Sequence, residues 1–241
     1  AVVDVQIPDR IKDGYGINES IIRKAKEDGI DTIVTCDNGI AALEQVRLAK
    51  ELGMTVIVTD HHEVPYVEEN GVRTEILPPA AVVVDPKQAD CKYPNPGICG
   101  AVVAYKLIEL MFRKSKVPYE ERQACMEEFM QLAAVATVCD VMDLLDENRI
   151  IVKEGLKRIR KAPCMGLKAL IEANGVEPSR LNAFHLGFVI GPCLNATGRL
   201  DSAVRALELL RAKDAVSAAR IAGELKEMNE SRKAMTLQGV K

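Results

Sequence analysis

The sequence predicts an α/β fold: an open parallel sheet flanked by helices, then a mostly helical part and a long connecting helix. Three observations predict it. Short β-branched runs alternate with amphipathic helical stretches in the first half, and the runs are apolar on both faces, as in parallel strands covered on both sides. After Pro96 helical periodicity dominates, with strong breaks only around Pro118, Pro163, Gly175 to Pro178 and Gly191-Pro192. From Lys213 to Thr236, Gly223 is the sole residue of either breaker type.

The elements follow in order. Val2 to Ile7 is an apolar run that ends at Pro8. Asn18 can cap a helix from about Glu19 to Asp28. Asp31 to Cys36 reads as a strand, and a helix from about Ile40 to Leu52 is ended by Gly53. Thr55 to Thr59 and Ala81 to Val84 are the next strands, and a helix runs from about Ile98 to Arg113. The reading gives one domain over 1–212, with an α/β part over about 1–115 and a helical part over about 116–212. The helix over 213–241 carries Ile221, Leu225, Met228 and Met235 on one stripe.

Composition narrows the function. The 241 residues are enough for a sizeable core, and 48% apolar with 28% charged excludes a disordered chain. Five Tyr, four Phe and no Trp argue against base stacking as the main recognition surface. A net charge of −3 excludes a globally basic nucleic-acid binder but not a local basic face. Such a face has a candidate: residues 149–168 carry seven basic side chains against Glu154 alone, either a solvated helix face or part of a groove that tracks a nucleic-acid backbone. The seven cysteines form no CxxC pair, which argues against a disulfide framework or structural zinc and suits a reducing cytoplasm. No apolar run approaches the ~20 residues that span a bilayer, and no leader pattern is present.

The chemistry concentrates at strand ends, where open parallel sheets bind ligands. One strand runs into Asp37-Asn38-Gly39, the next into Asp60-His61-His62. Adjacent strands bring Asp37 and His61 to one edge, a carboxylate and an imidazole suited to a divalent cation. Neighbouring loop residues do not easily point the same way, so one imidazole can ligate while the other faces a substrate, with Asp60 holding a ring N–H. Read alone, Asp-His-His is equally a polar loop; its repetition of the strand-end arrangement favours a site. Asp140, with Asp143 close behind, emerges from the apolar run Leu132 to Cys139, either as a paired or metal-bound carboxylate or as a helix cap. In Gly191 to Leu200, Arg199 sits among small residues and suits phosphate contact, though a turn between helices looks similar. Cys99-Gly100-Ala101 opens a helix and can bind phosphate or merely pack closely. His185 lies among Phe184, Leu186 and Phe188 and reads as a hydrogen-bonded core or boundary residue.

Taken together, these segments resemble the DHH phosphoesterase superfamily and, within it, the RecJ-type single-strand-specific exonucleases. The resemblance rests on Ile7-Pro8-Asp9-Arg10 with Gly14-Tyr15-Gly16, Cys36-Asp37-Asn38-Gly39 and Asp60-His61-His62-Glu63-Val64-Pro65. It continues through Asp85-Pro86-Lys87, Cys99-Gly100-Ala101, Ala136 to Val141 and Asn195 to Leu200. It implies a two-metal site, usually Mn²⁺ with Mg²⁺ as the alternative, that hydrolyses phosphodiester bonds by in-line displacement. It further implies that Asp37 bridges the metals, that His61 and Asp140 are ligands, and that His62 contacts the scissile phosphate with Asp60 as its orienting partner. Arg199, Asn195 and Gly100 fall to phosphate or strand contact.

The family's first motif, an Asp-x-Asp on the first strand, has no counterpart here: Asp4 stands alone, and Asp9 and Asp13 lie elsewhere. The expectation is a chain that starts one βα unit late and ends in a helix leading to a further, DNA-gripping domain. The function implied is a cytoplasmic 5′-to-3′ single-stranded-DNA exonuclease of repair and recombination, with a single-strand-binding protein or a helicase as protein partner. Two alternatives stand beside it: a short-oligonucleotide or cyclic-dinucleotide phosphodiesterase, and a non-catalytic scaffold that binds DNA or a replication partner.

Overall fold

The computed structural model describes residues 2–8, 16–200 and 203–239, with the backbone only for 197–200 and 237–239. The chain divides into two compact units, 13–116 and 117–241, the latter taking in 1–12.

The unit over 13–116 begins with α1 (Glu19–Glu27), whose N-cap Asn18 accepts from the Ile21 N–H through its side chain. Then follow β1 (Thr32–Val34), α2 (Leu43–Glu51), β2 (Thr55–Thr59), β3 (Tyr66–Glu69), β4 (Val72–Glu75), β5 (Val82–Val84) and α3 (Gly100–Lys114). β2 lies between β1 and β5, both parallel to it, with Thr32 opposite Thr55 and Ile57 opposite Val82. Because side chains alternate, one face collects Ile33, Val56, Val58 and Val83, packed with Ile22, Val46 and Ala49 of the helices. The flanking is uneven: on the other face Val34, Val82 and Val84 are exposed.

The apolar run Val2 to Ile7 belongs to neither sheet, and Val2 and Val3 are exposed because no ladder buries them. One local feature differs from the expectation. Between β2 and β5 stands an antiparallel hairpin, β3 with β4, that the strand pattern does not anticipate. Its turn, Asn70-Gly71, has φ of 53° and 77°, the doubly positive backbone of a tight hairpin turn.

The unit over 117–241 is helical: α4 (Tyr119–Cys139), α5 (Asp146–Lys161), α6 (Met165–Ala173), α7 (Ala183–His185), α8 (Gly191–Leu200), α9 (Val204–Leu210) and α10 (Ala215–Gly239). A 3₁₀ turn at Pro178–Arg180 and a π-helical turn at Leu186–Ile190 complete it. Its core joins Val152, Leu156 and Ile159 of α5 to Leu167 and Leu170 of α6 and Ile221 and Leu225 of α10. Of the predicted stripe on the last helix, Met228 packs against this core, whereas Met235 is exposed because the stripe outruns the surface it covers. His185 is half-buried with Nδ1 2.8 Å from Asn182 Oδ1, a hydrogen-bonded boundary residue. None of the seven cysteines is in a disulfide. Among the described residues no helix is long and apolar enough to cross a membrane.

Candidate metal centre

The ends of β1 and β2 are tied together before any functional side chain is placed. The Thr59 hydroxyl donates to the Thr35 carbonyl at 2.6 Å, and the Asp37 N–H donates to the Thr59 carbonyl at 3.0 Å. Asp37 takes a left-handed backbone, φ 63°, a conformation that costs a non-glycine residue about 1 kcal/mol or more and persists only where its surroundings hold it. Gly39 follows at φ 114°, where an added Cβ would lie 2.9 Å from Thr35 Oγ1, so the turn closes on the strand only with glycine there.

This turn delivers Asp37 to the edge where β2 delivers the histidines. Asp37 Oδ1 lies 3.0 Å from His61 Nε2. Asp37, His61 and His62 each offer a ligand atom, all within 4.8 Å of one another. The two imidazoles therefore do not diverge as neighbouring loop residues are expected to: their ring centroids are 4.6 Å apart and the rings are tilted by 52°. They differ in burial instead, His61 being buried and His62 exposed.

Asp60 organises the pair. Its buried carboxylate accepts the Ile40 N–H at 2.9 Å, the His61 N–H at 2.8 Å and His62 Nδ1 at 2.7 Å. Burial alone would push this carboxyl up, but the Ile40 N–H, the His62 ring and the His61 N–H together hold it below its ordinary value. An ionised carboxylate is thus fixed behind the histidines, one ring nitrogen of His62 engaged and Nε2 left over.

The donor set fits a divalent cation. One carboxylate and two imidazoles suit Mn²⁺ or a neighbouring transition metal. A separation of 3.0 Å between Asp37 and His61 donors matches two adjacent ligands on one ion, about 3 Å for bonds of about 2.1 Å.

The remaining predicted residues are distributed as follows. Gly100 opens α3 and packs closely against the Asp37 carboxylate. Asp140 stands in the helical unit as the exposed C-cap of α4, and it does not cap the next helix, which has Leu145 at its N-cap. Asn195 is an exposed residue of α8, and the side chain of Arg199 lies outside the described residues. The basic stretch is largely a solvated helix face: Ile151, Val152, Leu156 and Ile159 point to the core, while Arg158 pairs with Glu127 and Glu154 and Arg160 donates to the Leu181 carbonyl.

Sequence reasoning missed two groups. Asp85, at the end of β5, is buried with one carboxylate oxygen accepting the Lys87 N–H; the signal was a third strand running into a carboxylate, as in the other two. The hairpin beside the histidines brings Arg73 over the Tyr66 ring at 3.8 Å, while Lys87 pairs with Glu63 at 2.9 Å. Asn70-Gly71 was its signal.

The family model described as DHH family, N-terminal domain, matches residues 1–137. The single-stranded-DNA-specific exonuclease RecJ of Bacillus subtilis is 40% identical over 235 residues, 98% of this chain and 28% of that protein. The RecJ of Thermus thermophilus is 34% identical over 95% of this chain and 31% of its own length. A crystal structure of exonuclease RecJ bound to manganese superposes with a TM-score of 0.76 at 35% identity, covering 95% of this chain and 54% of that one. RecJ from Thermus thermophilus in complex with Mn²⁺ gives 0.69, also at 35% identity, over 88% and 30%. A third RecJ structure, from Thermus thermophilus with Mg²⁺, gives 0.57 at 28% identity over 89% and 34%. The chain thus spans about a third of the length of these curated relatives.

Proposed function

The chain belongs to the DHH family, and on that premise we propose that it forms the catalytic core of a metal-dependent phosphodiesterase, a RecJ-like 5′-to-3′ exonuclease acting on single-stranded DNA in repair and recombination. One observation carries the reading: Asp37, His61 and His62 converge from adjacent strand ends to within 4.8 Å, which sets a carboxylate and an imidazole able to hold a cation beside a second imidazole that can face the phosphate. The printed names of the relatives, and the Mn²⁺ and Mg²⁺ of their crystal structures, support it.

In this reading Asp37 and His61 would hold Mn²⁺ or Mg²⁺, with Asp140 as the further ligand that the family resemblance implies, and the cation would supply Lewis-acid charge to the phosphodiester. Asp60 accepts from His62 Nδ1–H, orienting the ring and leaving Nε2 to meet the phosphate, as a carboxylate behind a working imidazole does elsewhere. Arg199 and Asn195 contact the phosphates of the strand, Arg199 through a guanidinium suited to two oxygens at once. The reaction is cytoplasmic, and a single-strand-binding protein or a helicase is the kind of partner that presents the strand.

The test is digestion of single strands of graded length, labelled at either end, with Mn²⁺ binding followed by calorimetry. Release of mononucleotides from the 5′ end of long strands is expected. Cleavage confined to di- to pentanucleotides would assign the chain to the short-oligonucleotide phosphodiesterases. Absence of Mn²⁺ binding together with retained DNA binding would leave a scaffold.

A further inference from the structure

The Asp37 carboxylate has a neighbour that constrains it more tightly than any hydrogen bond. Gly100 is the buried first residue of α3, a helix of fifteen residues. A Cβ built on Gly100 would lie 2.3 Å from Asp37 Oδ1, 2.6 Å from its Cβ and 2.7 Å from its Cγ. Real Cβ atoms essentially never approach another heavy atom within 3.0 Å, so any side chain at position 100 forces a displacement.

What would move is decided by what is fixed. The Asp37 backbone is anchored by its N–H on the Thr59 carbonyl and sits at φ 63°, where few alternatives exist for a residue with a side chain. The following turn is closed by Gly39 against Thr35. On the other side, α3 carries the fully buried Val102 within its first turn. Rotating the Asp37 side chain relieves Oδ1 and Cγ but leaves Cβ at 2.6 Å, so the turn carrying Asp37 or the start of α3 must also give, and either adjustment displaces Oδ1 from its place 3.0 Å from His61 Nε2.

We propose that Gly100 is a positioning residue of the metal centre: the missing side chain at the start of α3 sets where the Asp37 carboxylate stands relative to His61. This rests on the reading of Asp37 as a metal ligand. It also accounts for a glycine at a helix start, where alanine would be the better helix former. Among the described residues the other approaches under 2.5 Å meet Ala134 (Gly155), the Leu209 carbonyl (Gly166) and the Cys139 thiol (Gly191), so Gly100 is the one that meets a carboxylate.

The experiment combines Gly100→Ala with Asp37→Gly, which removes every side-chain atom in the clash, and reads each variant in two ways. In metal-free thermal unfolding, Gly100→Ala is expected to lower the midpoint when Asp37 is present and to leave it unchanged or raise it in the Asp37→Gly background. In Mn²⁺ titration by calorimetry, Gly100→Ala is expected to weaken binding at least tenfold, and the Mn²⁺ concentration for half-maximal hydrolysis to rise in step. If Gly100→Ala does not fold, recovery of folding in the double variant reports the same clash. Equal midpoint changes in both backgrounds, or wild-type Mn²⁺ affinity in Gly100→Ala, overturn the proposal. Failure of the unsubstituted protein to bind Mn²⁺ overturns the metal reading of Asp37 itself, and the metal-free cycle then still reports whether the two residues collide.

Discussion

At the scale of single residues, carboxylates at the ends of three parallel strands have been given three different environments. Asp37 is left half-open beside an imidazole, Asp60 is buried under four donors, and Asp85 is buried under one. The consequence for Asp85 is a cost. Its second carboxylate oxygen has no hydrogen-bond partner among the described residues, and burial pushes its carboxyl up, reinforced by the Asp60 charge and only partly offset by the Lys87 N–H. A carboxyl raised above its unfolded value of 3.8 favours the fold in its protonated form, below that pH, and loses this contribution as pH rises through the raised value. Asp85→Asn is therefore expected to stabilise the protein at pH 7, with the gain shrinking as pH is lowered toward the ordinary carboxylate range. Urea unfolding across that range checks it; a loss of stability at pH 7 would show that the charge is compensated. Asp37 and the Asp-His-His triplet were legible in the sequence because a strand that runs directly into a polar residue announces a sheet edge. The convergence of both imidazoles was not legible, since it depends on Asp60 turning the His62 ring back toward its own chain.

At the scale of elements, helices were readable wherever a periodic apolar face met a breaker, as in α2 ending at Gly53 and α3 ending near Ser115. The β3–β4 hairpin was not read, because its strands are exposed and lack the apolar faces that mark a buried strand, although Asn70-Gly71 carried the turn signal. Helix pairs are set by a different feature, the small residue at the crossing. α4 and α5 approach so closely that a Cβ on Gly155 would lie 2.2 Å from the Ala134 Cβ and 2.9 Å from the Met130 carbonyl. Gly155→Ala gains about 1 kcal/mol of helix propensity. Overpacking at a site with backbone on one side costs about 1–3 kcal/mol, so a net destabilisation is expected, relieved by Ala134→Gly. Chemical denaturation of the single and double variants measures it, and a stabilised Gly155→Ala would mean that the two helices can separate freely.

At the scale of the whole molecule, the acidic average of −3 conceals a division of labour. The α/β unit gathers carboxylates and imidazoles at one sheet edge, and the helical unit carries the basic surface of α5 over an apolar core. The order of these units along the chain could be read from the change of periodicity after Pro96. Arg158 and Arg160 could not be seen as spent on Glu127, Glu154 and the Leu181 carbonyl, because those partners are set by tertiary packing. On the proposed function, the Asp37 cluster performs chemistry on a strand held by other surfaces. Its most direct test is the Asp37→Ala variant, assayed for hydrolysis of labelled single-stranded DNA with Mn²⁺ and, on the same sample, for binding of that strand by fluorescence anisotropy. Loss of hydrolysis by at least a thousandfold with strand affinity within about threefold of the unsubstituted protein is expected, since removing one metal ligand takes away several kcal/mol of transition-state stabilisation. Hydrolysis that survives the substitution, or strand binding that falls in parallel with it, would show that the Asp37 cluster is not where the chemistry occurs.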